Sequence, residues 1–349
     1  MVSFLGRRFA SKKAAIDVYN DTDTPEQLHW HGQKVSAGVD GAAEEGTPFI
    51  FAQGKRRITF TPSPAGFRFY HTHNRPGANL AAGQYGGEVG PVYMLGHGEP
   101  IRVKHGERIL FHVLNGSATE IRSLALPGHS FEVLALDGNP VPHPTSVPVL
   151  WLGTAERISA IVHMTHPGVW ILGDLADDDR RHGMGIVVEY AGRTGKPQWI
   201  APPAFKWTYT RFAKTGATAS SADETFEMTF AKENAAEEGF NRWTINGVAY
   251  PMTSAPVPAA FRLKQGMRYR LRMRNASDDI HPIHLHRHSF ELTSLAGKPT
   301  AGIVKDVVML GGYQEAEVDF FADNPGLTLF HCHQQPHMDF GFMALFDYA

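Results

Sequence analysis

The sequence holds a single cysteine, Cys332, so no disulfide forms within the chain and cysteine usage is silent on the redox compartment. It also lacks an excess of either charge: 33 basic residues stand against 35 acidic ones, a net charge of −2. That balance leaves no electrostatic footprint for nucleic acid or for an anionic membrane surface. No apolar run reaches the ~18 residues of a membrane span. The opening Met1-Val2-Ser3-Phe4-Leu5-Gly6-Arg7-Arg8 has basic residues with no apolar stretch behind them, so no signal peptide is visible. The 11 methionines are scattered, without a methionine-rich segment.

What is present points to β-structure. A chain of 349 residues has room for about two or three domains and an ample core. Thirty-five glycines and 23 prolines between many short apolar runs read as an all-β chain with frequent turns. The outlying count is histidine, at 19, and these residues cluster.

An internal repeat gives the architecture. Lys104-His105-Gly106-Glu107-Arg108 through Asn115-Gly116-Ser117 matches Lys264-Gln265-Gly266-Met267-Arg268 through Asn275-Ala276-Ser277 at an offset of 160. At 158, Gly183 through Tyr190 aligns with Gly341 through Tyr348. A weaker third copy opens the chain: His29-Trp30-His31 aligns with His284-Leu285-His286, and His71-Thr72-His73 with His331-Cys332-His333. A unit of about 100 residues is too long for a solenoid and fits a β-sandwich. The expected domains are 1–97, 98–195 and 225–349, with 196–224, rich in Pro, Ala, Ser and Thr, as a linker over the surface. About 13 residues precede the strand near Ala14, so the first sandwich is expected to lack its N-terminal strand and the chain its natural N-terminus.

The copies also sort the histidines. Four H-x-H pairs, His29/His31, His71/His73, His284/His286 and His331/His333, occupy matching positions in the first and last copies. On a strand, each pair puts two imidazoles on one face, as a metal cluster shared between two domains requires. Cys332 points to the opposite face from His331 and His333. His281, an odd number of residues from His284, falls on the cysteine's side, with His337 following in a turn. Two histidines and one thiolate make a trigonal blue-copper site. The weak axial position falls on Phe342, which cannot ligate, with Met343 as the alternative one residue on. In the second copy the counterparts of His281, His284, His286 and Cys332 are Arg122, Ala125, Pro127 and Asp174, so that copy is a metal-free spacer. His129 and His288 align outside the ligand sets and read as structural.

Across essentially its whole length the chain resembles the multicopper oxidases, laccase-like members in particular. The likeness rests on His29-Trp30-His31-Gly32, Tyr70-His71-Thr72-His73, His281-Pro282-Ile283-His284-Leu285-His286, and His331-Cys332-His333 with His337. It implies three consecutive cupredoxin-like Greek-key sandwiches and four coppers. By position, the type 1 ligands are His281, Cys332 and His337, and the type 2 ligands His29 and His284. The type 3 pair takes His31, His71, His73, His286, His331 and His333. Asp40 matches a family carboxylate that assists proton delivery, although an aspartate before Gly41 also suits a plain turn. The implied reaction takes single electrons from phenols or aromatic amines at type 1 copper and reduces dioxygen to water at the cluster. A monomer in the periplasm or outside the cell is the family's expectation. Two departures stand out: Met338 follows His337 where some members carry an acid, and Arg287 replaces the usual glycine. The rival readings are a cuprous-ion oxidase, a copper nitrite reductase, and a non-enzymatic copper-storage, electron-carrier or inactive truncated relative.

Overall fold

The computed structural model describes residues 12–74, 85–87, 95, 96, 98–237, 239–250 and 260–348. The N-terminal stretch read above for a signal, residues 1–8, lies outside these. Strand formation follows the alternating patterns. In Arg268–Asn275 the residues Tyr269, Leu271 and Met273 are fully buried, while the intervening arginines turn outward. Each large apolar side chain taken from water contributes roughly 1.5–3 kcal/mol. The outward arginines are matched to acids of the same sheet: Arg268 to Glu291, Arg270 to Asp319, and Arg272 to Glu227 and Glu317.

This strand belongs to a six-stranded sheet with the order 240–245, 224–237, 268–275, 315–321, 290–295, 298–305. A five-stranded sheet, ordered 261–263, 343–348, 328–332, 281–285, 307–310, packs on it. Phe226 and Phe320 of the first meet Phe346 of the second across the core. Residues 101–190 repeat the arrangement. Their sheets run 139–147, 131–136, 157–163, 108–114 and 150–152, 122–125, 169–174, 185–190, 101–103. Shifted by the sequence repeat, the two orders are the same strand for strand, and 224–237 with 240–245 extend the later sheet. Between the units, Tyr209 and Phe212 are buried, and the Tyr209 hydroxyl donates to Glu156.

In the first part of the chain Ala14–Asn20 pairs antiparallel with Gly54–Phe60, and Ile16, Ile58 and Phe60 close on Trp30 and Val35. A three-stranded sheet joins Leu28–His29, Phe69–Thr72 and Tyr85–Gly87. The chain is thus all-β, built of cupredoxin-like sandwiches, and its α-helices among the described residues are the short segments Ala37–Asp40, Asp177–Arg181 and Gln335–Asp339. No helix among the described residues is long and apolar enough to cross a membrane.

The first and last units meet across a polar seam. Glu45 accepts from the Leu329 amide at 2.7 Å, and Val35 O accepts from both Arg287 and Asn324 at 2.9 Å. Arg287 sits at φ 59°, in the left-handed region that disfavours a side chain. Its guanidinium is buried and also donates to Asn324 O, Pro325 O, Leu327 O and the Thr328 hydroxyl. The bonding of this fork offsets the backbone cost at a position where glycine would be the easier residue.

Candidate metal centre

Strand register brings the histidines together. His29 lies directly opposite His71, and His284 opposite His331, so each unit presents a cross-strand pair with its partner two residues on. All eight of these imidazoles are buried. They form three groups of potential ligands: His29, His31 and His284; His31, His71 and His333; His73, His286 and His331. Each group draws on both the first and the last unit. His29 Nε2 is 3.4 Å from His284 Nε2, His31 Nδ1 is 3.4 Å from His71 Nε2, and His286 Nε2 is 3.0 Å from His331 Nε2.

On the other face of strand Thr328–Cys332, Cys332 Sγ lies 3.6 Å from both His281 Nδ1 and His337 Nδ1, which are 3.1 Å from each other. His337 sits within the helix Gln335–Asp339, where a turn was expected; Pro336 in its first turn pre-sets the helical φ. That ring is half-buried, while His281 and Cys332 are fully enclosed. Phe342 packs on His281 with centroids 4.8 Å apart. Met343 turns instead into a separate cluster with Ala42, Leu329 and Met338. The second unit shows what replaces such a site: Arg122 pairs with Asp174 and Asp179, the counterparts of Cys332 and His337. His129 and His288 bond Tyr190 and Tyr348 at equivalent places, 2.5 and 2.8 Å away.

For several of the imidazoles the surrounding groups engage one nitrogen and leave the other for a ligand. His284 Nδ1 donates to Asp306 O at 2.7 Å, His71 Nδ1 to Thr72 O at 2.7 Å, and His331 Nδ1 to Cys332 O at 2.9 Å. His286 Nδ1 lies 2.8 Å from the Asp40 carboxylate, which is also 3.1 Å from His29 Nδ1. Such outer partners fix ring tautomer and orientation at metal sites. Gly41, at φ 100°, lets the chain turn against Leu28 and aims Asp40 inward.

Burial, reinforced by neighbouring imidazoles, holds His31, His71, His73, His284, His286 and His333 far below the usual imidazole range. Burial likewise lowers His281 to about 2 and His337 to about 4. These rings are therefore neutral at physiological pH, the form a metal needs. Burial pushes the Cys332 thiol up, a preference that a coordinated cation reverses. Both ring nitrogens of His73 and of His333 are buried without a hydrogen-bond partner. Unsatisfied buried polar atoms cost about 1–3 kcal/mol each, and a metal ion here would satisfy one nitrogen of each ring. The donor set fits: imidazoles suit copper, zinc or iron, and a thiolate with two imidazoles suits copper.

The histidines and the cysteine singled out in the sequence come together in these groups, but the charges behind them were passed over. Asp306, Arg157, Arg68, Asp137, Lys305 and Glu45 are all buried at or behind the histidines. Arg287 was noted only as an odd residue. A signal existed in Gly32, whose missing Cβ leaves room for Asp306 and Arg157.

Cupredoxin-like units carrying a His–Cys–His triad behind a polyhistidine cluster present the donor set of a copper-binding class of protein. Multicopper oxidase family models match residues 8–89, 63–184 and 221–349. The chain belongs to the multicopper oxidase family. It is 32% identical over 286 residues to multicopper oxidase MmcO of Mycobacterium tuberculosis, covering 78% of this chain and 53% of that protein. Laccase-4 of Thanatephorus cucumeris is 27% identical over 279 residues, covering 67% and 50%. The solved laccase of Botrytis aclada superposes with a TM-score of 0.81 at 16% identity, over 96% of this chain and 80% of that one. The chain spans about half the length of the curated relatives it matches.

Proposed function

We propose that the chain is a laccase-like oxidase holding four coppers. His281, Cys332 and His337 hold the type 1 ion, His29 and His284 the type 2 ion, and His31, His71, His333 with His73, His286, His331 the type 3 pair. Bound copper would supply one-electron oxidation of an aromatic donor on one side and four-electron reduction of dioxygen to water on the other. The observation that carries the reading is the shared strand: Cys332 faces one site while His331 and His333, its covalent neighbours, face the other. His337, the least buried of the ligands, stands where a donor can approach. Asp40, against His286 and His29, is placed to hold a proton beside the cluster. Location in the periplasm or outside the cell belongs to the same proposal.

Aromatic side chains around His337 support an aromatic donor. Trp243 lies against the His337 ring, centroids 4.1 Å apart, and Phe240, more than half exposed, stacks on Phe340. The nearby acids Asp278 and Asp279 share Lys232, at 2.5 and 2.7 Å, which neutralises one of their two charges. A cuprous-ion oxidase is the second reading, kept because relatives include a metal oxidiser, the iron multicopper oxidase fer1 of Mycosarcoma maydis. Oxygen consumption by the copper-loaded chain with phenols, aromatic amines, Cu(I) and nitrite separates the readings. Uptake with phenols is expected; turnover of Cu(I) or nitrite alone would overturn the laccase-like assignment.

A further inference from the structure

Behind His31 and His284 lies a buried ion group that the chemistry above does not use. The Asp306 carboxylate accepts two bonds of 2.6 Å from the Arg157 fork and a longer one of 3.3 Å from Arg68. Its Oδ1, which also takes one of the Arg157 bonds, meets His31 Nε2 at 3.1 Å, and its main-chain carbonyl accepts from His284 Nδ1 at 2.7 Å. Asp306 and Arg157 are both fully buried. Asp137 completes the group by taking the Arg157, Asp306 and Val307 amides on its carboxylate and the Lys305 ammonium at 2.9 Å. Arg68 comes from the first unit, Arg157 and Asp137 from the second, Asp306 and Lys305 from the third.

A charge group of this kind is weak support for stability, because removing ions from water costs about as much as their pairing returns. Its directionality is another matter. A carboxylate accepts only, so the His31 nitrogen facing Asp306 is the one that carries hydrogen. That leaves His31 Nδ1 as the lone-pair nitrogen, on the side of His71. The carbonyl of the same residue selects the opposite tautomer at His284, leaving Nε2 toward His29. Gly32 follows from this: a Cβ there would stand 2.5 Å from Asp306 Oδ2 and 2.9 Å from Arg157.

We propose that Asp306, clamped by Arg157 of the middle unit, is a positioning residue that sets the donor nitrogens of His31 and His284. The middle unit is then more than a spacer, since it supplies the planar fork that fixes Asp306 at both oxygens. The inference rests on the copper reading above.

The test compares wild type with Asp306→Asn and Arg157→Lys as full-length, copper-loaded chains. Lysine keeps the charge but cannot span both carboxylate oxygens. Asp319→Asn is the control, because Asp319 is a buried carboxylate paired to Arg268 and Arg270 that bonds no histidine. Readouts are copper per chain against a competing chelator, the thiolate-to-copper absorption, and the EPR spectrum. Outer-partner changes typically weaken metal binding about 10–100-fold. Asp306→Asn and Arg157→Lys should therefore lose cluster copper to the chelator at correspondingly lower concentrations, with the blue band intact and a new EPR signal from an uncoupled pair. Asp319→Asn should show neither. Full wild-type loading with unaltered retention in both variants overturns the positioning role alone, as does equal loss of blue and cluster copper in variants and control. If Asp306→Asn does not fold, Arg157→Lys decides. A wild type that takes up only one copper overturns the copper reading itself.

Discussion

Arg287 offers a prediction whose sign depends on the relative size of two effects. Its left-handed backbone argues that glycine at this position should stabilise the chain by about 1–2 kcal/mol. Against that stand five hydrogen bonds of 2.7–2.9 Å from one buried guanidinium, four of them to main-chain carbonyls. Hydrogen bonds to a charged group are worth about 1.5–3 kcal/mol each. Water admitted to the space left behind would recover part, so a net loss of roughly 3–5 kcal/mol is expected for Arg287→Ala. Arg287→Gly regains the backbone cost and should fall about 1 kcal/mol short of the alanine variant's loss. Both variants remain less stable than wild type, a large fraction of a typical 5–15 kcal/mol total. Urea unfolding of the metal-free proteins, monitored by tryptophan fluorescence, measures the order. A glycine variant equal to or more stable than wild type would show that the fork does not outweigh the strain.

Two further outcomes follow from the site. Cys332→Ser should abolish both the intense blue absorption and oxygen uptake while leaving cluster copper in place; retained oxidase activity would contradict Cys332 as the link between the two sites. The metal-free chain should lose stability on acidification between about pH 6.5 and 4. Burial lowers His331 and His288 to about 4, whereas unfolded imidazoles titrate near 6.5. In that window the unfolded chain binds more protons, so stability rises with pH and levels off above it. Each fully buried imidazole adds on the order of 1 kcal/mol per pH unit. Asp339, raised by burial to about 6, works in the opposite direction as a single carboxyl. Urea midpoints near pH 5 and 7 check the sign, and a higher midpoint at the acidic value would contradict it.

The histidines were legible in the sequence because strand geometry makes their spacing meaningful. An H-x-H pair has one geometric consequence on a strand, and the internal repeat set the candidate positions apart from the others: His129 and His288 fell outside the set and bond tyrosines. The same repeat foretold the recurring sheet orders of residues 101–190 and 261–348. The charged residues behind the cluster carried no such signal. Asp306 and Arg157 are 149 residues apart in different units, and nothing local marks either as buried. Arg287 was visible as a break in a motif, but its bonding depends on loop carbonyls brought in by the fold. His337 lies in a helix because a short segment beginning Gln335-Pro336 suits a turn and a helical turn equally well until the strands around it are placed.

The most direct test is to count the metal. Eight histidines from two units and a separate His–Cys–His triad are proposed as two coupled copper centres. Copper-loaded protein should contain about four coppers per chain, with one blue thiolate-bound ion, one ordinary EPR-visible ion and a spin-coupled pair. A single bound copper, or zinc in its place with no blue absorption, would contradict it.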